Sequence, residues 1–93
     1  MITVTLQIGN SDNKLTQHRW MVFCNAVHSA ILFWDGTIHF SAPSVGWADW
    51  QNAAWVFLIE EEKAEKLRKA IKEIRETYEQ DSAAWTVGET LFI

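Results

Sequence analysis

Ninety-three residues, 48% hydrophobic and 22% charged, suffice for one folded core and read as a single domain over 1–93. A formal charge of −4, from 12 acidic and 8 basic side chains, argues against general affinity for nucleic acid or anionic membranes, which need clustered Lys and Arg. Cys24 is the only cysteine, which excludes an internal disulfide and a multi-cysteine zinc site, and no apolar run approaches the ~20 residues that cross a bilayer.

The first ten residues, "MITVTLQIGN", lack the basic and apolar regions of a secretion signal, so the expected location is the cytoplasm. Residues 2–8 alternate strictly. Ile2, Val4, Leu6 and Ile8 share one face and Thr3, Thr5 and Gln7 the other, which predicts a strand with one face on the core. The segment "GNSDNKLT" then turns the chain. Thr16 is the expected helix N-cap, with Leu15 and Trp20 spaced as a hydrophobic staple. Trp20, Phe23, Val27, Ile31 and Trp34 follow at helical spacing, and Asp35-Gly36 ends the helix. Cys24 lies within this stretch, where a cysteine is usually a small buried apolar residue.

Residues 37–41, "TIHFS", alternate again and predict a short strand. The loop "APSVGWADWQN" follows, and then residues 53–59, "AAWVFLI", apolar on both faces as a central strand requires. Residues 61–79 predict the clearest helix, with Ala64, Leu67, Ile71, Ile74 and Tyr78 as its stripe. Five of the eight cations fall between 63 and 72 among glutamates, reading as a solvated face with pairs such as Glu62–Lys66 and Glu65–Lys69. The segment "SAAWTVGETLFI" returns to strand character, with Gly88 an expected bulge or bend.

The order strand–helix–strand–strand–helix–strand predicts an α+β, ferredoxin-like fold: a four-stranded antiparallel sheet with two helices on one face. In that topology three polar connectors meet at one edge: residues 9–16, 42–52 and 79–82. Asn10, Asp12, Gln17, Trp47, Trp50, Gln51, Asn52, Gln80 and Asp81 then become candidates for binding a ligand or partner. Most of these residue types also make ordinary turns and caps, so each has a structural alternative.

Six tryptophans sharpen the argument. Trp20, Trp34, Trp55 and Trp85 fall on inward positions. Trp47 and Trp50 sit in a loop, where each is either a lid over the core or a binding anchor. The open sheet face would carry Thr3, Thr5, Val56, Leu58 and Phe92. The first helix carries Met21, Val22, Leu32 and Phe33 off its core stripe. A second apolar surface in so small a chain suggests a homodimer or a docked partner.

Motifs for nucleotide binding, esterase or metalloprotease chemistry and calcium binding are absent, and no cofactor or metal is expected. His18, His28 and His39 fall on different elements, which disfavours a three-histidine metal site. His18 could pair with Asp12, Asp49 or Asp81 as an acid–base couple. RNA-recognition motifs share this topology, but "NAAWVFLIE" lacks their basic-Gly-aromatic pattern, leaving RNA binding the least supported reading.

The segments "QIGNSDNKLTQ", "WQNAAWVF" and "YEQDSAAW" together resemble a group of small uncharacterised proteins of actinobacteria and their phages. That resemblance transfers no catalytic role. It implies a phage-type accessory protein that acts by binding a host component. The expectation is therefore a non-enzymatic interaction module that engages a protein partner or small ligand through its polar, Trp-bearing edge. A small enzyme built on His18 is the alternative.

Overall fold

The computed structural model describes residues 1–93. β1 (Ile2–Gly9) keeps the expected alternation, with Val4, Leu6 and Ile8 buried on one side. A short 3₁₀ turn (Ser11–Asn13) leads to α1 (Gln17–Phe33), followed by β2 (Thr37–Pro43), β3 (Asn52–Ile59), α2 (Glu61–Thr77) and β4 (Ala84–Gly88). The sheet order is β2-β3-β1-β4 and every neighbour is antiparallel, with Leu6 opposite Trp55 on one side and Trp85 on the other. This is the ferredoxin-like arrangement. β1, flanked by two strands, is the axis on which both halves of the chain meet.

Fourteen buried residues form one core. Trp20, Phe23, Val27 and Ile31 of α1 and Ala64, Leu67 and Ile71 of α2 pack on the inward side chains of β1 and β3. Trp20 and Trp55 are buried there, while Trp34 and Trp85 are half-buried against it. The Trp55 indole N–H donates to His28 Nδ1 at 3.1 Å, so His28 serves as the polar partner that lets a large ring sit in an apolar layer.

The helix ends follow specific backbone chemistry. Thr16 caps α1, its hydroxyl accepting from the Arg19 N–H at 3.2 Å, as the spacing predicted. Leu15 and Trp20, either side of that cap, are both buried in the core. At the far end Gly36 N–H donates to Ile31 and Asp35 N–H to Leu32, which is a Schellman closure. The left-handed residue is Asp35 (φ 61°), and Gly36 serves a different need. A Cβ at Gly36 would lie 2.6 Å from the Ile31 side chain and 3.0 Å from its carbonyl. α2 closes the same way, Gln80 N–H to Arg75 and Glu79 N–H to Glu76, with Glu79 left-handed (φ 57°). The helix therefore stops at Thr77, before the expected 79.

Three expectations are corrected. First, β2 contains a register shift between Ile38 and Phe40: Ile38 faces Phe57, but Phe40 faces Val56. His39 is the extra residue. The bulge inverts the alternation and turns Phe40 onto the outer face, where it is 56% exposed. Second, Gly88 is the last residue of β4, and the segment after it leaves the sheet. Phe92 is therefore exposed on the tail, which returns over β1 through a Thr90–Thr3 hydroxyl contact. Third, the pairs Glu62–Lys66 and Glu65–Lys69 do not form. Lys66 lies over the Trp34 ring (5.6 Å), Lys63 pairs with Asp35 (2.6 Å), and Glu65 pairs with Arg68 (2.7 Å). Two of these contacts reach α1 and the turn after it, which no isolated-helix rule can anticipate.

None of the strands contains Asp, Glu, Lys or Arg. The outer sheet face is thus a charge-free surface of Thr3, Thr5, Phe40, Val56 and Leu58 with small neighbours. All formal charge lies on helices and connectors.

Replacing the left-handed Glu79 by glycine removes a Cβ clash that costs a non-glycine residue about 1 kcal/mol. Glu79→Gly is expected to raise stability by about 0.5–1 kcal/mol, seen as a few degrees in Tm by differential scanning fluorimetry. A lowered Tm would contradict the Schellman assignment.

Candidate functional site

The three polar connectors meet at one edge, and the bonds that join them define the site. Asn10, wholly buried, is the centre of the junction. Its Oδ1 accepts from Leu15 N–H (2.9 Å), and its Nδ2 donates to Leu15 C=O (3.1 Å) and to Gln51 Oε1 (3.2 Å). Its backbone N–H donates to Gln51 C=O (2.7 Å), and its own carbonyl accepts from Asn13 N–H. Both Nδ2 hydrogens are used, so no donor of this side chain is left for a ligand.

Gln51 extends the junction. Its amide exchanges hydrogen bonds with Gln17 in both directions, Gln17 Nε2 to Gln51 Oε1 (3.0 Å) and Gln51 Nε2 to Gln17 Oε1 (2.9 Å). Asn13 Nδ2 adds a bond to Asp49 C=O (3.2 Å). The third connector joins through Gln80, whose Oε1 accepts from Ser11 N–H (3.1 Å) and whose Nε2 donates to Tyr78 C=O (3.2 Å), and through Lys14, which donates to Glu79 C=O. Gln80 is 3% exposed. Asn10 and Gln80, expected from their residue types to read a ligand, are instead internal ties. Burial removes them from contact with anything outside the chain.

The network also holds unusual backbone. Asp12 (φ 56°) and Asn13 (φ 52°) are consecutive left-handed residues, a conformation that short polar side chains tolerate best. Their neighbours over-determine the turn, which is how strain persists in a folded chain. Gly9 supplies room behind it: a Cβ there would lie 2.8 Å from Asn52 Oδ1 and 3.4 Å from Trp50 Nε1.

What the ties leave open is a cavity of about 310 Å³ along the second connector. Trp50, Gln51 and Asn52 line it with Asn13, Ser44 and Asp49. Asn52 donates to Trp50 C=O (3.1 Å), and Ser44 Oγ accepts from Asn52 N–H (3.0 Å), so the wall is stiff. Ser44 was not among the expected residues, although a serine following the only proline is a turn signal. Trp50 is 39% exposed and rests beside Gly9; Trp47 is 85% exposed and lies outside the cavity lining. Neither is folded into the core.

The remaining candidates scatter. Asp12 is exposed at the tip of the first connector. Asp81 lines a different cleft, between α2 and β4. His18 is exposed in the first turn of α1, and no carboxylate lies within ion-pair distance of it, so the acid–base couple with Asp12, Asp49 or Asp81 is not assembled. His, Cys, Asp and Glu side chains gather nowhere in threes at metal-binding distance. No helix is long and apolar enough to cross a membrane. Cys24 is half-buried, and burial pushes its thiol up from 9.0 to about 11.

The chain is similar to the solution structure of the C-terminal domain of the MgtC protein from Mycobacterium tuberculosis, with a TM-score of 0.66. The likeness covers 96% of this chain and 89% of that one, at 12% identity. The fold is shared. At that identity the likeness carries the fold alone. No protein-family model matches the sequence, and no curated protein matches it either.

Asn10→Ala strands the buried Leu15 N–H and C=O, each worth about 1–3 kcal/mol when unsatisfied. A loss of about 2–3 kcal/mol is expected, with amide shifts at both 49–52 and 11–15 in heteronuclear NMR. A loss below about 0.5 kcal/mol, the usual range of surface substitutions, would remove Asn10 from the centre of the junction. For Cys24, only the thiolate reacts, so a raised value means slow alkylation at pH 7–9 that accelerates toward pH 11. An iodoacetamide rate profile with its midpoint near 8.5, the ordinary cysteine value, would contradict the burial.

Proposed function

We propose that this protein is a non-enzymatic interaction module whose edge formed by the second connector docks a protein partner. The observation that carries the reading is Trp47, 85% exposed on a loop that the Asn10–Gln51 and Ser44–Asn52 bonds hold in place. An exposed indole on a fixed backbone loses little entropy on binding and buries a large apolar area, the profile of an interface hot spot. Trp50 at the mouth of the adjoining cavity is the second anchor. Asp49 supplies an acidic group beside Trp50, and Gln51 and Asn52 a polar surround that Gln17 extends through its bonds to Gln51.

The resemblance to small actinobacterial and actinophage proteins supplies the setting: an accessory protein that acts on a host component in the cytoplasm. The structural neighbour is itself the C-terminal domain of a larger protein, which is compatible with a binding role for this fold. Self-association fits the outer sheet face. The strand residues of that face carry no charge in a chain of net −4, which limits repulsion between two copies meeting over its centre at Thr5, Phe40 and Val56. A His18-based enzyme has no assembled site to favour it.

Affinity capture from a host lysate with the intact chain, Trp47→Ala and Trp50→Ala tests the reading. Each substitution is expected to weaken a specific partner by about 2 kcal/mol, roughly thirtyfold, while Tm stays near its original value. Unchanged capture by both variants would overturn it. In the same preparations, Val56→Glu is expected to shift a dimer to monomer by light scattering without moving the Trp47 result.

A further inference from the structure

We propose that the cleft between α2 and β4 binds a small organic anion with a flat apolar body, a site separate from the Trp-bearing edge. The cleft has a volume of about 330 Å³, at the lower end of small-molecule pockets. Its floor is Leu6, Ile71 and the half-buried Trp85; its rim is Arg68, Lys72 and Arg75. The three cations are spaced four and three residues apart, which places them on one stripe of α2.

Three observations separate this stripe from a solvated helix face. The first is an accounting of cations. Lys63, Arg68 and Arg75 have carboxylate partners, Arg19 and Lys66 lie over aromatic rings, and Lys14 donates to a carbonyl. Lys69 and Lys72 alone have no partner, and both border the cleft or the shallow groove that continues from it along Arg68.

The second is the fixing of Arg75. One of its terminal nitrogens donates to Gln80 C=O (2.9 Å) and Asp81 C=O (3.1 Å), so the guanidinium is set in place before any ligand arrives. The third is Trp85. It packs edge-to-face on Phe57, centroids 6.1 Å apart, so its ring is held and one part of it faces the cleft.

The chemistry of the ligand follows. Arg68 and Arg75 are paired with Glu65 and Glu76, so the uncompensated charge is that of Lys72 in the lining and Lys69 in the adjoining groove, against the one lining carboxylate, Asp81, in a chain of net −4. The site therefore attracts an anion locally while the rest of the surface repels a long polyanion, which disfavours nucleic acid. The apolar floor and the indole add a place for a flat apolar body, which a bare inorganic ion does not have. The Arg68–Glu65 pair at the rim is exposed, and an incoming carboxylate or phosphate can take its place at little cost. The Ser82 hydroxyl, in the lining, gives the anion a neutral hydrogen-bond donor.

The test uses the isotopically labelled full chain in heteronuclear NMR titrations with four probes: adenosine monophosphate, indole-3-acetate, inorganic phosphate and tryptamine. The expected result is saturable movement of the Trp85 indole signal and the 81–86 amides with one or both aromatic anions. Phosphate alone and the cationic tryptamine are expected to leave these signals in place. Lys72→Gln should weaken the bound probe about tenfold, and Arg68→Glu with Lys72→Glu should abolish its binding. Trp50→Ala should leave it unchanged, which separates this site from the docking edge. The proposal is overturned if neither aromatic anion moves Trp85, if tryptamine binds equally well, if phosphate alone reproduces the shifts, or if Lys72→Gln binds as tightly as the parent.

Discussion

The Asn10 side chain is the constraint on which the upper half of this molecule depends. A strand that ends at Gly9 and a helix that starts at Gln17 leave the N–H and C=O of the buried Leu15 outside either element. Asn10 meets both polar groups of Leu15 and simultaneously takes hold of Gln51 across the sheet. One buried amide thereby sets the turn, the entry of α1 and the position of the loop between β2 and β3. The Gln17–Gln51 exchange and the Gln80–Ser11 bond extend the same arrangement to the outside and to the end of α2. A buried polar network of this kind is stable only when complete, and here no buried side-chain nitrogen or oxygen lacks a partner.

That arrangement decides what the edge can do. The amides spend their hydrogen bonds on one another, so they make a stiff frame and leave recognition to what projects from it. Trp47, Trp50 and the carboxylates of Asp12 and Asp49 project. The separation of charge points the same way: strands without ionic side chains build an uncharged sheet, and the ionic residues gather on helices and loops. Each surface of the molecule consequently has its own character. One face is apolar and hydroxyl-rich, one edge is aromatic and acidic, and one cleft is basic in an otherwise acidic chain.

Much of the fold was legible because its signals are local and strong. The alternation of Ile2 to Ile8, the stripe from Ala64 to Ile71 and the Thr16 cap each follow from a period or a single hydrogen bond. Topology alone then gathered three polar loops at one edge. Other features were illegible for physical reasons. A bulge at His39 depends on how β2 fits against β3, and nothing in "TIHFS" marks the extra residue, so the stretch reads as unbroken alternation. Asn and Gln have the same composition signature whether they bind a ligand or tie two loops, and only burial tells them apart. The cations of α2 looked like a solvated face because the cleft beside them requires the short edge strand β4 and Trp85 from far along the chain.

Hydrophobic period and capping act over a few residues, so the elements, their order and the inward side of β1 and both helices are written in the sequence. The opening polar stretch around Asn10 was recognisable as a turn and a cap on the same grounds. That Asn10 and Gln80 are internal ties, that Trp47 stands free, that His18 has no carboxylate partner and that a basic cleft opens against β4 emerges only when the elements pack. Each of those outcomes depends on groups tens of residues apart meeting within hydrogen-bond or packing distance, and no local pattern encodes that.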